Sequence, residues 1–166
     1  AKLSSSLSAK AAQIPERVAK LTEQVASLNT AIARANEKSA SLIASRLVQD
    51  AISERSDPSE RPLVIAANLG TYDAGYLRSV MEQVLVAERV AVALTATQPE
   101  GDGTHKRMVW SIGTSPGVDF DFAANRKRLL SPIEGKGGGR APIWQGVGSA
   151  TEREADFLEA FRAIWS

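Results

Sequence analysis

The chain has 166 residues, of which 43% are hydrophobic and 23% charged, values typical of a folded domain or a small domain with an appendage. It has no cysteine and one histidine, His105, which excludes disulfides, thiolate metal sites, thiol nucleophiles and sites that need several imidazoles. The net charge is only +1, but residues 105–140 hold seven Lys or Arg against three Asp or Glu, a local excess that can attract polyanions.

The first third of the chain carries a coiled-coil pattern. Its apolar residues alternate between spacings of four and three, as a and d positions do. They form the seam Ile14, Val18, Leu21, Val25, Leu28 and Ile32. The pattern predicts a helical lead-in over 3–12, a helix from Pro15 to about Ala35, a bend or return turn near Asn36–Ser41, and a second helix to about Ser53. So narrow an apolar stripe needs a partner, either the second helix or another copy of the chain.

Pro58 and Pro62 mark a boundary, which divides the sequence into a helical stalk over 1–57 and a globular head over 58–166. Apolar runs and periodicities in the head predict further elements. The strands are expected at 63–67, 89–94, 106–112 and 142–145, the helices at 73–85, 120–130 and 151–165, and a turn-rich segment at 98–104. The fold class is therefore an α/β (α+β) head, with a small mixed sheet and flanking helices, behind a helical coiled-coil stalk.

One stretch, Gly113–Gly117, matches the nucleophile-elbow pattern G-x-S-x-G around Ser115. The elbow needs a histidine later in the chain, whereas His105 comes earlier, and Pro116 lacks the N–H that an oxyanion hole would use. We therefore expect a tight turn rather than a nucleophile. His105 is expected in an exposed loop, and no metal or cofactor is expected in this chain.

The strongest local feature is the glycine-rich run Gly135–Arg140. Its spacing fits neither of the common phosphate-loop patterns. Three consecutive glycines still let backbone N–H groups approach an anion closely, and Lys136 and Arg140 bracket them with positive charge. Composition alone leaves a flexible loop and a phosphate-binding loop equally open.

The run GKGGGRAPIWQGVGSA, residues 135–150, resembles the glycine-rich signature of the DHH-associated domain, roughly GGKGGGRPxMAQGGG followed by a terminal helix. That domain is the C-terminal domain of alanyl-tRNA synthetases, long alanyl-tRNA editing proteins and many DHH phosphoesterases. The entry Gln13-Ile14-Pro15-Glu16-Arg17-Val18 is similar to the start of the stalk in the two alanyl-tRNA groups. Ala141, Trp144 and Val147 depart from the pattern.

The resemblance implies a non-catalytic C-terminal module that grips tRNA, expected to be tRNA-Ala, by shape and backbone and forms a homodimer. The zinc motifs of the editing domains, HxxxH and CxxxH, do not occur here, so catalysis is expected elsewhere in a longer parent protein. Trp144 is a candidate platform for an unstacked base, with a core indole as the alternative. The candidate tRNA-binding residues are Lys136, Gly137, Gly138, Gly139, Arg140, Trp144, Gln145, Arg126, Lys127 and Arg128.

Two other functions stay open at this stage. One is the substrate-binding domain of a DHH-type phosphoesterase. The other is a coiled-coil dimerisation module without tRNA affinity, which a buried Trp144 and an apolar dimer face would favour. No apolar run approaches the roughly 20 residues needed to cross a bilayer. We expect no membrane partner and a cytoplasmic protein, with mitochondria as the other compartment left open.

Overall fold

The computed structural model describes residues 13–55, 61–100 and 105–166. The chain divides between Lys38 and Ser39 into two compact units. The helical lead-in expected at 3–12 lies outside the described residues, and so do the residues on both sides of the expected boundary between 57 and 58.

A single helix, α1, spans Ile14–Glu54, so the prediction of a bend or return turn near residues 36–41 is wrong. The sequence from Glu16 to Glu54 contains neither proline nor glycine, the residues that most often kink or end a helix. The change of pattern near Ser39 marks the point where the helix begins to pack against the core of the second unit, in which Ala40 and Ala44 are buried.

The second unit contains one mixed sheet of five strands. The strands are β1 Leu63–Asn68, β2 Val90–Glu100, β3 His105–Thr114, β4 Lys136–Arg140 and β5 Ile143–Gly148; the helices are α2 Ala74–Val84, α3 Phe122–Leu130 and α4 Glu154–Arg162, the last preceded by a 3-10 turn, Thr151–Arg153. The strand order in the sheet is β1-β2-β3-β5-β4. β1 and β2 are parallel and joined through α2, whereas the other neighbouring strands are antiparallel.

Helices cover both faces of this sheet. Residues of α1 after Ser39 and those of α2 form one core with the sheet, in which Leu77, Val80 and Val92 are fully buried. On the other face α3 and α4 form a second core around Trp110 and Phe157. This arrangement confirms the predicted fold class, an α+β head with a mixed sheet and flanking helices after a long helix.

Two strands differ from the sequence prediction. β2 continues through Gln98 and Pro99, where a turn was expected. Pro99 is tolerated there because the last backbone hydrogen bond on the β1 side of β2 is donated by Thr97 to Gly70, so beyond Thr97 that side of β2 is an edge. β4 occupies the glycine-rich run, where a loop was expected, and it pairs with β5 along its whole length.

Candidate nucleic-acid interface

The hairpin formed by β4 and β5 carries most of the predicted binding residues, and its register sorts them onto two faces. Lys136, Gly138 and Arg140 lie opposite Val147, Gln145 and Ile143, and paired residues share a face. Ile143 and Val147 pack against the core that contains α2, so this face looks toward the α2 side of the sheet.

Three exposed residues and one glycine lie on that side: Lys136, Arg140, Gln145 and Gly138. We name these four residues the cationic face. The two cationic side chains are exposed. Neither forms an ion pair with any residue in the part of the chain that the structure describes. Four strand positions place their Cα atoms about 13 Å apart, so each can contact a different phosphate.

The cationic face borders an open groove of about 800 Å³. The opposite wall comes from α2, which contributes Arg78 and Glu82, and their side chains form an ion pair with 2.8 Å between Nε and Oε1. Sequence reasoning missed both residues. Their spacing of four indicates a pair on a helix surface, but only the sheet order places that surface beside a hairpin that begins more than 50 residues later.

The other face of the hairpin is structural. Trp144 is only 6% exposed and packs against Phe120 and Phe122, with ring centroids 5.3 Å and 5.6 Å away. An indole held in this aromatic cluster does not present a ring face to an RNA base. The burial of Trp144 therefore favours its interpretation as a core indole over that as a stacking platform.

Gly137 and Gly139 are required by this packing. Their φ angles are +144° and +153°, which side chains of L-residues rarely tolerate. A Cβ atom at Gly137 would also lie 2.8 Å from Trp110 Cζ2 and would collide with the β5 backbone. These two glycines therefore let β4 approach β5 and the Trp110 ring closely, which explains them without any ligand.

The basic run on α3 lies apart from the cationic face, because α3 covers the opposite side of the sheet. Arg126 donates a hydrogen bond from Nη2 to the Gly137 carbonyl at 3.2 Å. Arg126 and Lys127 line a separate depression of about 420 Å³ together with Glu134. Arg128 is exposed in the last turn of the same helix. The structure thus divides the predicted binding residues between two surfaces.

The seam of the first unit is open to solvent. Its six residues are between 54% and 63% exposed, a high value for Leu, Ile and Val that follow one stripe of a helix. They are Ile14, Val18, Leu21, Val25, Leu28 and Ile32.

Ser115 does not add a second site. Ser115 is 2% exposed, and its Oγ accepts a hydrogen bond from the Val90 N–H at 2.7 Å, so this hydroxyl serves the fold, as the tight-turn interpretation expected. His105 begins β3 rather than lying in a loop. No metal-binding group of three His, Asp or Glu residues occurs in the described ranges, and none of the helices there is long and apolar enough to span a membrane.

No family model matches this chain, and no curated protein matches it either. Among solved structures, the C-Ala domain from Aquifex aeolicus alanyl-tRNA synthetase is similar to it, with a TM-score of 0.52 and 19% sequence identity. The match covers 62% of this chain and 90% of that chain. The match shows that the two chains share a fold, in agreement with the fold that the resemblance of the glycine-rich run implies.

Proposed function

We propose that this chain is a non-catalytic tRNA-binding module of an alanyl-tRNA synthetase or an alanyl-tRNA editing protein, with tRNA-Ala as its partner in the cytoplasm. The observation that carries the proposal is the cationic face, where Lys136 and Arg140 stand exposed on one side of a short hairpin. The fold it shares with a C-Ala domain supports the same conclusion.

Binding at this face requires no cofactor and no base readout. Lys and Arg side chains bind phosphate oxygens, Gln145 can donate to a phosphate or sugar oxygen, and Gly138 lets the RNA backbone lie close to the strand. Because Trp144 is buried, base stacking at this position is no part of the proposal. Recognition by shape and backbone remains, and it makes affinity sensitive to salt.

The proposal is tested by titrating fluorescently labelled tRNA with the full chain at several salt concentrations. Two phosphate contacts predict that affinity falls about tenfold between 50 and 200 mM salt, and each further contact steepens the fall. Absence of binding at low salt would contradict the proposal. Such a result would favour the alternative function, a dimerisation module without tRNA affinity. The burial of Trp144 also favours that alternative.

We also propose that the exposed seam pairs two copies of the chain. Exposed apolar residues at a and d spacing are the pattern that knobs-into-holes packing covers. Replacing Leu21 and Leu28 together by Asp puts charge into that seam and is expected to weaken dimerisation by about 100-fold or more. Sedimentation equilibrium measures the change, and Ser27→Asp, off the seam on the same helix, serves as the control.

A wild-type chain that sediments as a monomer at high concentration would contradict the homodimer while leaving tRNA binding untouched. A dimer that survives the double substitution would show that the copies pair through another surface.

A further inference from the structure

Gly138 is a glycine for which the fold supplies no reason. Every other glycine that the structure describes has either a φ between +83° and +153° or a position where a Cβ atom would lie at most 3.3 Å from another residue. At Gly138 the φ angle is not in that range, and no atom beyond Gly138 and its two chain neighbours lies within 4 Å of the Cβ position. A side chain would fit there within the protein alone, and it would project into open space.

The space beside Gly138 is the groove described above. Gly138, Gly139 and Gln145 line it on the hairpin side, and Arg78 and Glu82 line it on the α2 side. The hairpin wall also contributes Arg140, so guanidinium groups stand on both walls. A planar guanidinium binds two oxygens of a phosphate at once, which suits it to a phosphodiester chain.

Glu82 is the one carboxylate among the residues that line this groove. It is paired with Arg78 and both side chains are about half exposed, at 51% and 57%. A polyanion entering the groove would be attracted by Arg78 and repelled by Glu82. Glu82 therefore weakens the attraction between this wall and a polyanion, because its negative charge offsets the positive charge of Arg78.

We propose that the groove between α2 and the cationic face holds one phosphodiester backbone of the RNA, which passes directly over Gly138. Arg78 is a third phosphate-binding cation, and Glu82 limits the affinity. This inference rests on the tRNA-binding function proposed above and specifies the path of the RNA across the module.

The first test fills the groove at Gly138. Val is a good strand residue and has room there, so Gly138→Val is expected to leave the free energy of unfolding unchanged or to raise it slightly. It should weaken tRNA binding by about tenfold or more, with a smaller loss for Gly138→Ala, because the side chain occupies the space of the RNA backbone. Wild-type affinity in a folded Gly138→Val variant would overturn the proposal.

The second test changes charge on the α2 wall. Arg78→Gln is expected to weaken tRNA binding about fivefold and to reduce the salt slope by about one, whereas Glu82→Gln is expected to tighten binding about threefold. The chain offers a matched control in Arg153 and Asp156, an exposed pair with 2.7 Å between Nε and Oδ2. Arg153→Gln and Asp156→Asn make the same changes in net charge and should leave affinity close to that of the wild type.

The two proposals fail in different ways. If the wild type binds tRNA and the Arg78 and Glu82 variants bind like their matched controls, the groove is wrong and the tRNA-binding function stands. If the wild type binds no tRNA at low salt, both proposals fall together.

Discussion

Replacing Lys136 and Arg140 together by Ala is expected to weaken tRNA binding by about 30-fold, which corresponds to about 2 kcal/mol. The two cations stand on one face of the hairpin without ion-pair partners among the described residues, so their charge is available to phosphates. Losing two phosphate contacts should also flatten the dependence of log Kd on log salt by about two. Fluorescence titration of labelled tRNA at several salt concentrations measures both quantities.

The matched control is Lys127→Ala with Arg128→Ala, which removes the same net charge from α3 on the opposite side of the sheet. This pair should change affinity only slightly, since it acts through the long-range field of the protein. Equal losses in the two double variants would mean that tRNA responds to total charge and not to the cationic face. A loss of tRNA affinity in the α3 variant alone would show that tRNA binds at α3 and not at the cationic face.

Sequence reasoning succeeded where side chains alternate or repeat. Met108, Trp110 and Ile112 alternate along β3 and share one core with Phe157 and Phe161, which mark the inner stripe of α4. Such periodicity shows which residues of an element lie on the same face.

Sequence reasoning failed where the periodicity of apolar side chains is absent or has two explanations. A glycine run has no side-chain alternation and low strand propensity, so β4 is specified by its pairing with β5 rather than by its own residues. In α1 the apolar register changes near Ser39. A bend and a change of packing partner give the same pattern, and only the unbroken helix Ile14–Glu54 distinguishes them.

The sequence predicted only those residues of the site that are neighbours along the chain. Lys136 and Arg140 flank the glycines, so the sequence alone indicated them. Arg78 could not, because its place in the groove depends on the order of strands in the sheet. The prediction for Trp144 was ambiguous for another reason: an indole suits both a core and a stacking platform. Its aromatic neighbours lie outside β5, Phe120 just before α3 and Phe122 at the first residue of α3.

The two faces of the hairpin thus have different roles. The face toward α3 and α4 packs against Trp110, and this packing requires glycines. The cationic face is exposed, and we propose that it binds RNA. Substitutions on the two faces should therefore separate loss of folding from loss of RNA binding. Glycine-to-alanine changes are a sharp probe, since each adds a single methyl group.

Replacing Gly146 by Ala is expected to lower the free energy of unfolding by about 3 kcal/mol. A Cβ atom here would collide with the Lys136 carbonyl oxygen, lie 2.6 Å from Trp110 Cζ2 and lie 2.8 Å from Gly137 Cα. Two of these obstacles are backbone and the third is the fully buried Trp110 ring, so neither side of the contact can move without separating β4 from β5 or displacing the indole. Urea unfolding followed by tryptophan fluorescence measures the loss.

Gly138→Ala is the matched control, because it adds the same methyl group to the same hairpin at a position where no atom beyond the two chain neighbours lies within 4 Å. It should leave the free energy of unfolding unchanged or raise it by about 0.5 kcal/mol, since alanine restricts the unfolded chain. If the two variants unfolded at the same urea concentration, the close packing of the hairpin on Trp110 would be wrong. The contrast in packing between the two faces of the hairpin would then be lost as well.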